Sequence, residues 1–520
     1  MKAILRIMAL AFAMALLPMA VMAQVPQQDT VEGSGIQVQN LSGEQATVTL
    51  TFYDSTDGSV AGSNTLTIEG NGSSTLLSFQ EPLFNVDEGF DGSVVVESNQ
   101  PVVAIVNLTN VQFGANAINE GYPGFSEGAT TVNVPLVLRD NPSGTGNNIS
   151  TSITVQNASD SSVTANINYV PGLAGNTGVT EANISLQPGQ SRTFAQIDNA
   201  ALGDRFVGSA TVSADGPIAV AVTEEGNNQL FAYAAFTTAQ SAPSIALPLV
   251  VANNTVNGSF TGLQIQNAGT EDTTVTFDFG QNQVDAAEPG LDSNVGIVCG
   301  TNGEVLNREV TIPAGASFTL LTKDFDGDNG DDPIDANGFD EQFFNCRYVG
   351  SAIVSSDNNQ PLVAIVNQVQ SNAVREASAY ESFTGDAGSG DTRAPLASAN
   401  NFGFFTGIQV QNLDTANAVN VTIAYGANTY SGPMTACSNL QPRTRSIPAG
   451  AGFTFLQNSF SGDENPETAT GLNSFDSQFF QCGYVGSATI TTAGEIVAVV
   501  NQIQFPGAGD SLTTYNAFNQ

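Results

Sequence analysis

The stretch richest in usable chemistry is Asp324-Phe325-Asp326-Gly327-Asp328-Asn329-Gly330-Asp331-Asp332-Pro333-Ile334-Asp335. Asp324, Asp326 and Asp328 occupy the first, third and fifth places of a calcium loop, with Asp332 at the ninth and Asp335 at the twelfth. A hard cation such as Ca2+ is wrapped by oxygens, and carboxylates at alternate loop positions supply them. The sixth place, where glycine makes the sharp turn, holds Asn329, with Gly330 one residue late. Asparagine tolerates left-handed backbone, so the misfit does not end the reading. The same residues also suit a solvated acidic loop, and the sequence leaves both open. A matching place further on holds only Asp463, Glu464 and Glu467, a poorer ligand set.

A second candidate is Gly124-Phe125-Ser126-Glu127-Gly128, the spacing of a hydrolase nucleophile elbow. That chemistry needs a histidine base, and this chain has no histidine. The same absence removes the commonest general base and most zinc sites. Paired carboxylates could hydrolyse glycosides. Here the acids are scattered through turns, and tryptophan, the usual wall of a sugar site, is missing. Asn-x-Ser/Thr triplets at Asn40, Asn107, Asn148, Asn183 and Asn420 are what so Asn-, Ser- and Thr-rich a composition gives unaided. Asp and Glu number 49 against 12 Lys and Arg, for a net charge of −37. Phosphate binding needs clustered basic residues, so nucleic acid is excluded as a partner, and an anionic membrane surface is disfavoured. The sequence therefore predicts no enzyme.

The elements that must position these residues come as a unit repeated four times in 520 residues. An alternating strand ends in Gln-Asn at Gln39-Asn40, Gln156-Asn157, Gln266-Asn267 and Gln411-Asn412. Its period of two marks a half-buried strand. An aromatic-x-Gly-Ser motif follows at Phe90 to Ser93, Phe206 to Ser209, Tyr348 to Ser351 and Tyr484 to Ser487. A near-continuous apolar strand comes next, at Pro101 to Val106, Pro217 to Val222, Pro361 to Val366 and Ile496 to Val500. Each copy closes with Tyr-x-x-Phe: Tyr122/Phe125, Tyr233/Phe236, Tyr380/Phe383 and Tyr515/Phe518. Copies two, three and four open on Pro-Leu, at Pro135-Leu136, Pro248-Leu249 and Pro395-Leu396. Copy one has no such pair; Val25-Pro26 stands in for it, or the strand is missing.

Helical periodicity is absent beyond the first residues. About seven short strands per copy, punctuated by turn dipeptides such as Asp57-Gly58 and Asn71-Gly72, predict an all-β chain. The expected architecture is four tandem antiparallel immunoglobulin-like β-sandwich domains after a signal peptide. The boundaries are 1–23 for the signal peptide, then 24–126, 127–238, 239–386 and 387–520. Short polar linkers at Ser126–Thr131, Thr237–Pro243 and Thr384–Arg393 predict a semi-flexible rod. The ordered set of motifs resembles a family of tandem immunoglobulin-like repeats in secreted bacterial surface proteins, across nearly all of the chain beyond the leader. The resemblance implies an extracellular, repeat-built protein and carries over no catalytic residue.

Repeat equivalence also sorts the cysteines, for which three pairings are possible. Cys346 and Cys482 each lie four residues before the Gly of Gly-Ser, and Cys299 and Cys437 each precede an Ile-Pro-Ala-Gly turn. Equivalent positions imply Cys299–Cys346 and Cys437–Cys482. The compartment suits them. Lys2 and Arg6 precede an apolar run from Ile7 to Val21, and Val21-Met22-Ala23 resembles a cleavage site with Gln24 as the new N-terminus. Disulfides persist once such a leader has exported the chain. No later stretch is long and apolar enough to cross a membrane as a helix.

The resulting expectation is a non-enzymatic secreted cell-surface or matrix protein, a structural stalk, adhesin or assembly subunit. Its partners would be other surface or matrix proteins, glycans, or further copies of itself, with Ca2+ the one cofactor considered. Two alternatives stand beside it: an extracellular polysaccharide-binding module, and a filament subunit that assembles by β-strand exchange, suggested by the missing Pro-Leu strand of copy one.

Overall fold

A computed structural model describes residues 19–23, 33–70, 72–78, 84–109, 118–142, 148–172, 177–226, 229–254, 258–283, 298–300, 305–323, 341–370, 376–459, 462, 474–504, 510 and 512–519. Alternation makes these residues strands. In copy one, Ala46, Val48, Leu50 and Phe52 are fully buried while the threonines between them face outward. One face is thus apolar and the other polar, the pattern a sheet needs when only one side is covered. No α-helix occurs among the described residues. Apart from two pairings of two residues each, the named strands pair antiparallel.

Copy one contains β1 (Met19–Ala23), β2 (Gly33–Asn40), β3 (Ala46–Asp54), β4 (Val60–Ile68), β5 (Ser73–Leu77), β6 (Gly92–Ser98), β7 (Val102–Thr109) and β8 (Asn119–Pro123). They form two sheets, ordered β1-β6-β3-β4 and β5-β2-β7-β8. Ile36 and Val38 from one sheet and Val48, Leu50, Val94 and Val96 from the other belong to one apolar core. Copy three repeats this arrangement. Ser244–Ala252 lies beside Tyr348–Ser356 in the first of its sheets, and Phe260–Asn267 beside Leu362–Val369 in the second.

Copies two and four differ from the expected run of separate short strands. The Gly-Ser motif and the apolar strand merge there into single strands, Phe206–Gly226 and Cys482–Gln504. The first half of Phe206–Gly226 pairs with Val163–Pro171 and the second half with Asn148–Asn157, so one strand serves both layers. Asp215-Gly216-Pro217 falls at the change of partner. Its composition suits a turn, yet the residues stay within the one strand, with an irregularity in its pairing to Ala129–Arg139.

The chain forms two compact units that meet in sequence at Thr238 and Ala239. Copies one and two make up the first, copies three and four the second. Within each unit the short linkers are not free spacers, which corrects the flexible-rod expectation there. Ala129 to Thr131 already belong to β9 (Ala129–Arg139), and Ser389 to Arg393 to the strand Ser389–Ala399. In the first unit Ala219, Ala221, Leu230, Ala232 and Ala234 of copy two join the core of copy one. Linker residues spent on strand pairing have no freedom left to flex.

β1 is the other departure. Its five residues are the last five of the predicted leader, and they take the place beside β6 that the Pro-Leu strand takes in the other copies.

Candidate functional site

The residues that recur at fixed places are the candidates, and the structure shows what most of them hold. The asparagine ending each Gln-Asn strand is a turn clamp. Asn157 Nδ2 donates to the carbonyls of Ser161 at 2.7 Å and Leu186 at 3.1 Å, while its Oδ1 accepts from the Ser159 amide at 2.9 Å. Asn40, Asn267 and Asn412 make the same three-way contact. One side chain thereby fixes a turn and ties it to the neighbouring strand end.

The aromatic-x-Gly-Ser motif folds onto itself. Residues two apart share a face of a strand, so Tyr348 lies over Gly350. Its single hydroxyl proton is shared between the carbonyls of Gly280 at 2.7 Å and Ser351 at 3.1 Å, the nearer taking the stronger bond. A Cβ on Gly350 would sit 2.3 Å from that hydroxyl, and one on Gly486 would sit 2.4 Å from the hydroxyl of Tyr484. Only glycine leaves room for the ring. Burial pushes the Tyr348 hydroxyl well above the usual range and that of Tyr484 up to about 12.

The serine of this motif joins one copy to the next. Ser93 Oγ donates to the Gly189 carbonyl of copy two at 2.6 Å. Ser351 Oγ donates to the Gly450 carbonyl of copy four at 2.9 Å. Gly189 and Gly450 occupy the same turn, at φ of 73° and 64°, a left-handed conformation that glycine adopts without strain. Gln411 Nε2 reaches the Ala352 carbonyl at 3.3 Å, and Gln190 Nε2 the Ser55 carbonyl at 2.9 Å. The second unit carries a further polar seam. Gln368 and Asn501 exchange amide hydrogen bonds at 2.7 and 3.2 Å, Gln368 also donates to Thr514 at 2.9 Å, and Asp510 accepts the Ala377 amide at 2.8 Å. Sequence reasoning missed this seam. The sequence does place an asparagine just after the apolar strand, at Asn367 and Asn501, but nothing in it says what that residue faces.

The closing tyrosine reaches the opening strand. Tyr380 donates to the Leu249 carbonyl at 2.6 Å and accepts the Leu249 amide at 3.1 Å. Tyr515 does the same with Leu396, at 2.6 and 3.2 Å, and Tyr233 donates to the Leu136 carbonyl at 3.2 Å. Copy one breaks the rule. Tyr122 is 1% exposed, and its hydroxyl has no hydrogen-bond partner among the described residues.

Disulfides join Cys299 to Cys346 and Cys437 to Cys482, each with a Cα–Cα distance of 4.9 Å. Asp324, Asp326, Asp328, Asp332 and Asp335 lie outside the described residues, as do Asp463, Glu464 and Glu467. The Gly124–Gly128 segment runs between β8 and β9, a strand-to-strand connection, and lacks the strand-to-helix turn of a nucleophile elbow. A cavity of about 370 Å3 lies between copies three and four. Ser244, Thr276, Asp278, Asn307 and Ser355 give it a polar wall, and no aromatic ring or basic group lines it.

No known protein family matches the chain, and no curated protein matches it. Among solved structures, a tetra-tandem repeat in the extending region of a large adhesion protein is similar at 14% identity. That alignment covers 97% of this chain and 100% of the other, with a TM-score of 0.10. The all-β build and the two disulfides fit an extracellular protein. Among the described residues no helix is long and apolar enough to cross a membrane.

Proposed function

We propose that this chain is a secreted, non-enzymatic structural protein of the cell surface or matrix, a shaft or adhesin built from four immunoglobulin-like sandwiches. The observation that carries this reading is the serine-to-carbonyl contact repeated between copies one and two and between copies three and four. The most regular polar residues of the sequence are spent on holding one copy to its neighbour or one strand to another. A binding or catalytic protein concentrates such residues around a pocket. The export reading supports the same conclusion: a cleavable leader delivers the chain to a compartment where its disulfides persist. The acidic surface keeps such a protein soluble and disfavours nonspecific association. Surface or matrix proteins and glycans are its partners in this reading.

The test is localisation joined to binding. Fractionation of the producing cells should place the chain outside the cytoplasm with an N-terminus at Gln24, and cells lacking it should lose attachment or matrix integrity. Recovery from the cytoplasm with the leader intact would refute export. Selective capture of one soluble oligosaccharide on a glycan array would replace the structural role with the polysaccharide-binding alternative.

A further inference from the structure

Copy one departs from all three siblings at its opening strand, and three observations meet there. In copies two, three and four the opening strand pairs with the Gly-Ser strand through a break in register at Pro-Leu, between Gly208 and Ala210, Leu247 and Val250, and Ala394 and Ala397. That bulge turns the leucine's backbone toward the buried tyrosine of the closing strand, which then bonds to it. In copy one the position is held by β1, in unbroken register from Met19↔Val96 to Ala23↔Gly92. There is no bulge, no leucine carbonyl arrives, and among the described residues the buried Tyr122 hydroxyl has no partner. Leaving a buried hydroxyl unpaired costs on the order of 1–3 kcal/mol. β1 is thus a poor substitute for a Pro-Leu strand. It also lies wholly upstream of the Ala23 cleavage point.

We propose that copy one of the exported protein is a strand acceptor: removal of the leader opens the position beside β6, and an extended Pro-Leu strand from a partner polypeptide fills it. The inference rests on the export reading above. Cleavage takes away the strand that pairs Gly92 to Val96, so their backbone groups lose their partners along an edge whose Val94 and Val96 belong to the apolar core. An uncovered edge over an apolar core is the setting for β-strand addition, in which backbone bonds give affinity and alternate side chains give specificity.

The chemistry of the guest can be read from the three copies that keep theirs. It runs antiparallel to β6. It presents apolar or small side chains at alternate positions, as Ile245, Leu247 and Val250 do from full burial in copy three. It carries Pro-Leu between the last two, so that a backbone carbonyl and amide reach Tyr122. This chain holds three such segments, each already committed to its own copy, so the guest comes from another polypeptide with the same pattern.

The test uses the exported protein, with its N-terminus fixed by intact mass, and a synthetic peptide of the Ser244–Ala252 sequence as probe. One peptide should bind per chain by native mass spectrometry. Hydrogen exchange across Gly92–Ser98 should slow by tenfold or more. Tyr122→Phe should weaken the peptide by about two- to tenfold, the loss of one neutral hydrogen bond. A peptide carrying Pro248→Ala and Leu249→Ala should bind the wild-type protein more weakly and be indifferent to Tyr122→Phe. Oligomers of the untreated protein that dissolve on adding peptide would make a second copy the donor and overturn the assignment of the guest to a different polypeptide. An exported chain that keeps Met19–Ala23 overturns both the cleavage reading and the proposal. A chain that starts at Gln24, binds no peptide and already protects its Gly92–Ser98 amides as a monomer overturns the proposal and leaves the export reading standing.

Discussion

At the residue scale, two kinds of side chain decide whether a copy closes. The first is the clamp asparagine. Asn157 is 1% exposed and ties its own turn, through the Ser161 carbonyl and the Ser159 amide, to the Leu186 carbonyl of the neighbouring strand end. Asn157→Ala takes the donor from the buried Leu186 carbonyl and frees the turn at Ser159 and Ser161, and should cost ~1–3 kcal/mol. Urea unfolding of the variant should show that loss as a lower midpoint at unchanged slope. The second is the buried tyrosine. Tyr348, Tyr380, Tyr425 and Tyr515 have their hydroxyls pushed above the ordinary value, in each case chiefly by burial. The folded state therefore favours the neutral phenol more than the unfolded state does. The sign follows: this contribution is whole below pH ~10, where an unfolded tyrosine ionises, and drains away as pH rises further. Absorbance at 295 nm and circular dichroism, followed together, should show phenolate formation and loss of structure in the same step above pH ~10. Smooth ionisation at pH ~10 with the dichroism intact would contradict the burial.

At the element scale, the strands divide into those that the sequence announces and those that only the fold assembles. Phe260–Asn267 and Ala46–Asp54 are legible because alternation alone makes one face apolar. Gly350 and Tyr348 are legible as a pair but not as a contact, since nothing in their spacing says that the ring covers the glycine. The fusion into Phe206–Gly226 was hidden because Asp215-Gly216-Pro217 has the composition of a turn. Tertiary pairing with Val163–Pro171 on one side and Asn148–Asn157 on the other overrode that local preference. The Gln368–Asn501 seam was hidden for a different reason: its partners are 133 residues apart, and nothing in the recurring element that holds both says that the two copies face each other there. The disulfides belong to this scale too. Each closes a loop, with sequence separations of 47 and 45 residues, next to an aromatic-x-Gly-Ser strand. Such a closure is worth about 4 kcal/mol in the chain-entropy account. Reduction should therefore lower the unfolding midpoint of the second unit and leave that of the first unchanged, because all four cysteines lie beyond Ala239. Differential scanning calorimetry with and without reductant separates the two.

At the scale of the whole molecule, the question is what counts as one folding body. Four copies of comparable size could unfold as four independent transitions if linkers alone joined them. The contacts inside the second unit argue otherwise. Ser351 to Gly450, Gln411 to Ala352, the Gln368–Asn501–Thr514 seam and Asp510 to Ala377 tie copies three and four together with buried polar groups. Each bond is worth only ~1 kcal/mol net, yet separating the copies breaks all of them at once and exposes what they desolvate. Copies three and four should therefore unfold as one transition under oxidising conditions. Ser351→Ala together with Gln368→Ala removes both anchors without touching the core of either copy. The doubly substituted chain should keep its far-ultraviolet dichroism while the single transition of the second unit broadens or splits in two. Proline or glycine inserted into the Gly385–Gly388 connection, which tests the linker alone, should do much less. If the insertion splits the transition and the double substitution leaves it sharp, covalent connection rather than the polar seam sets the cooperativity, and the repeated serine contact loses the structural role assigned to it.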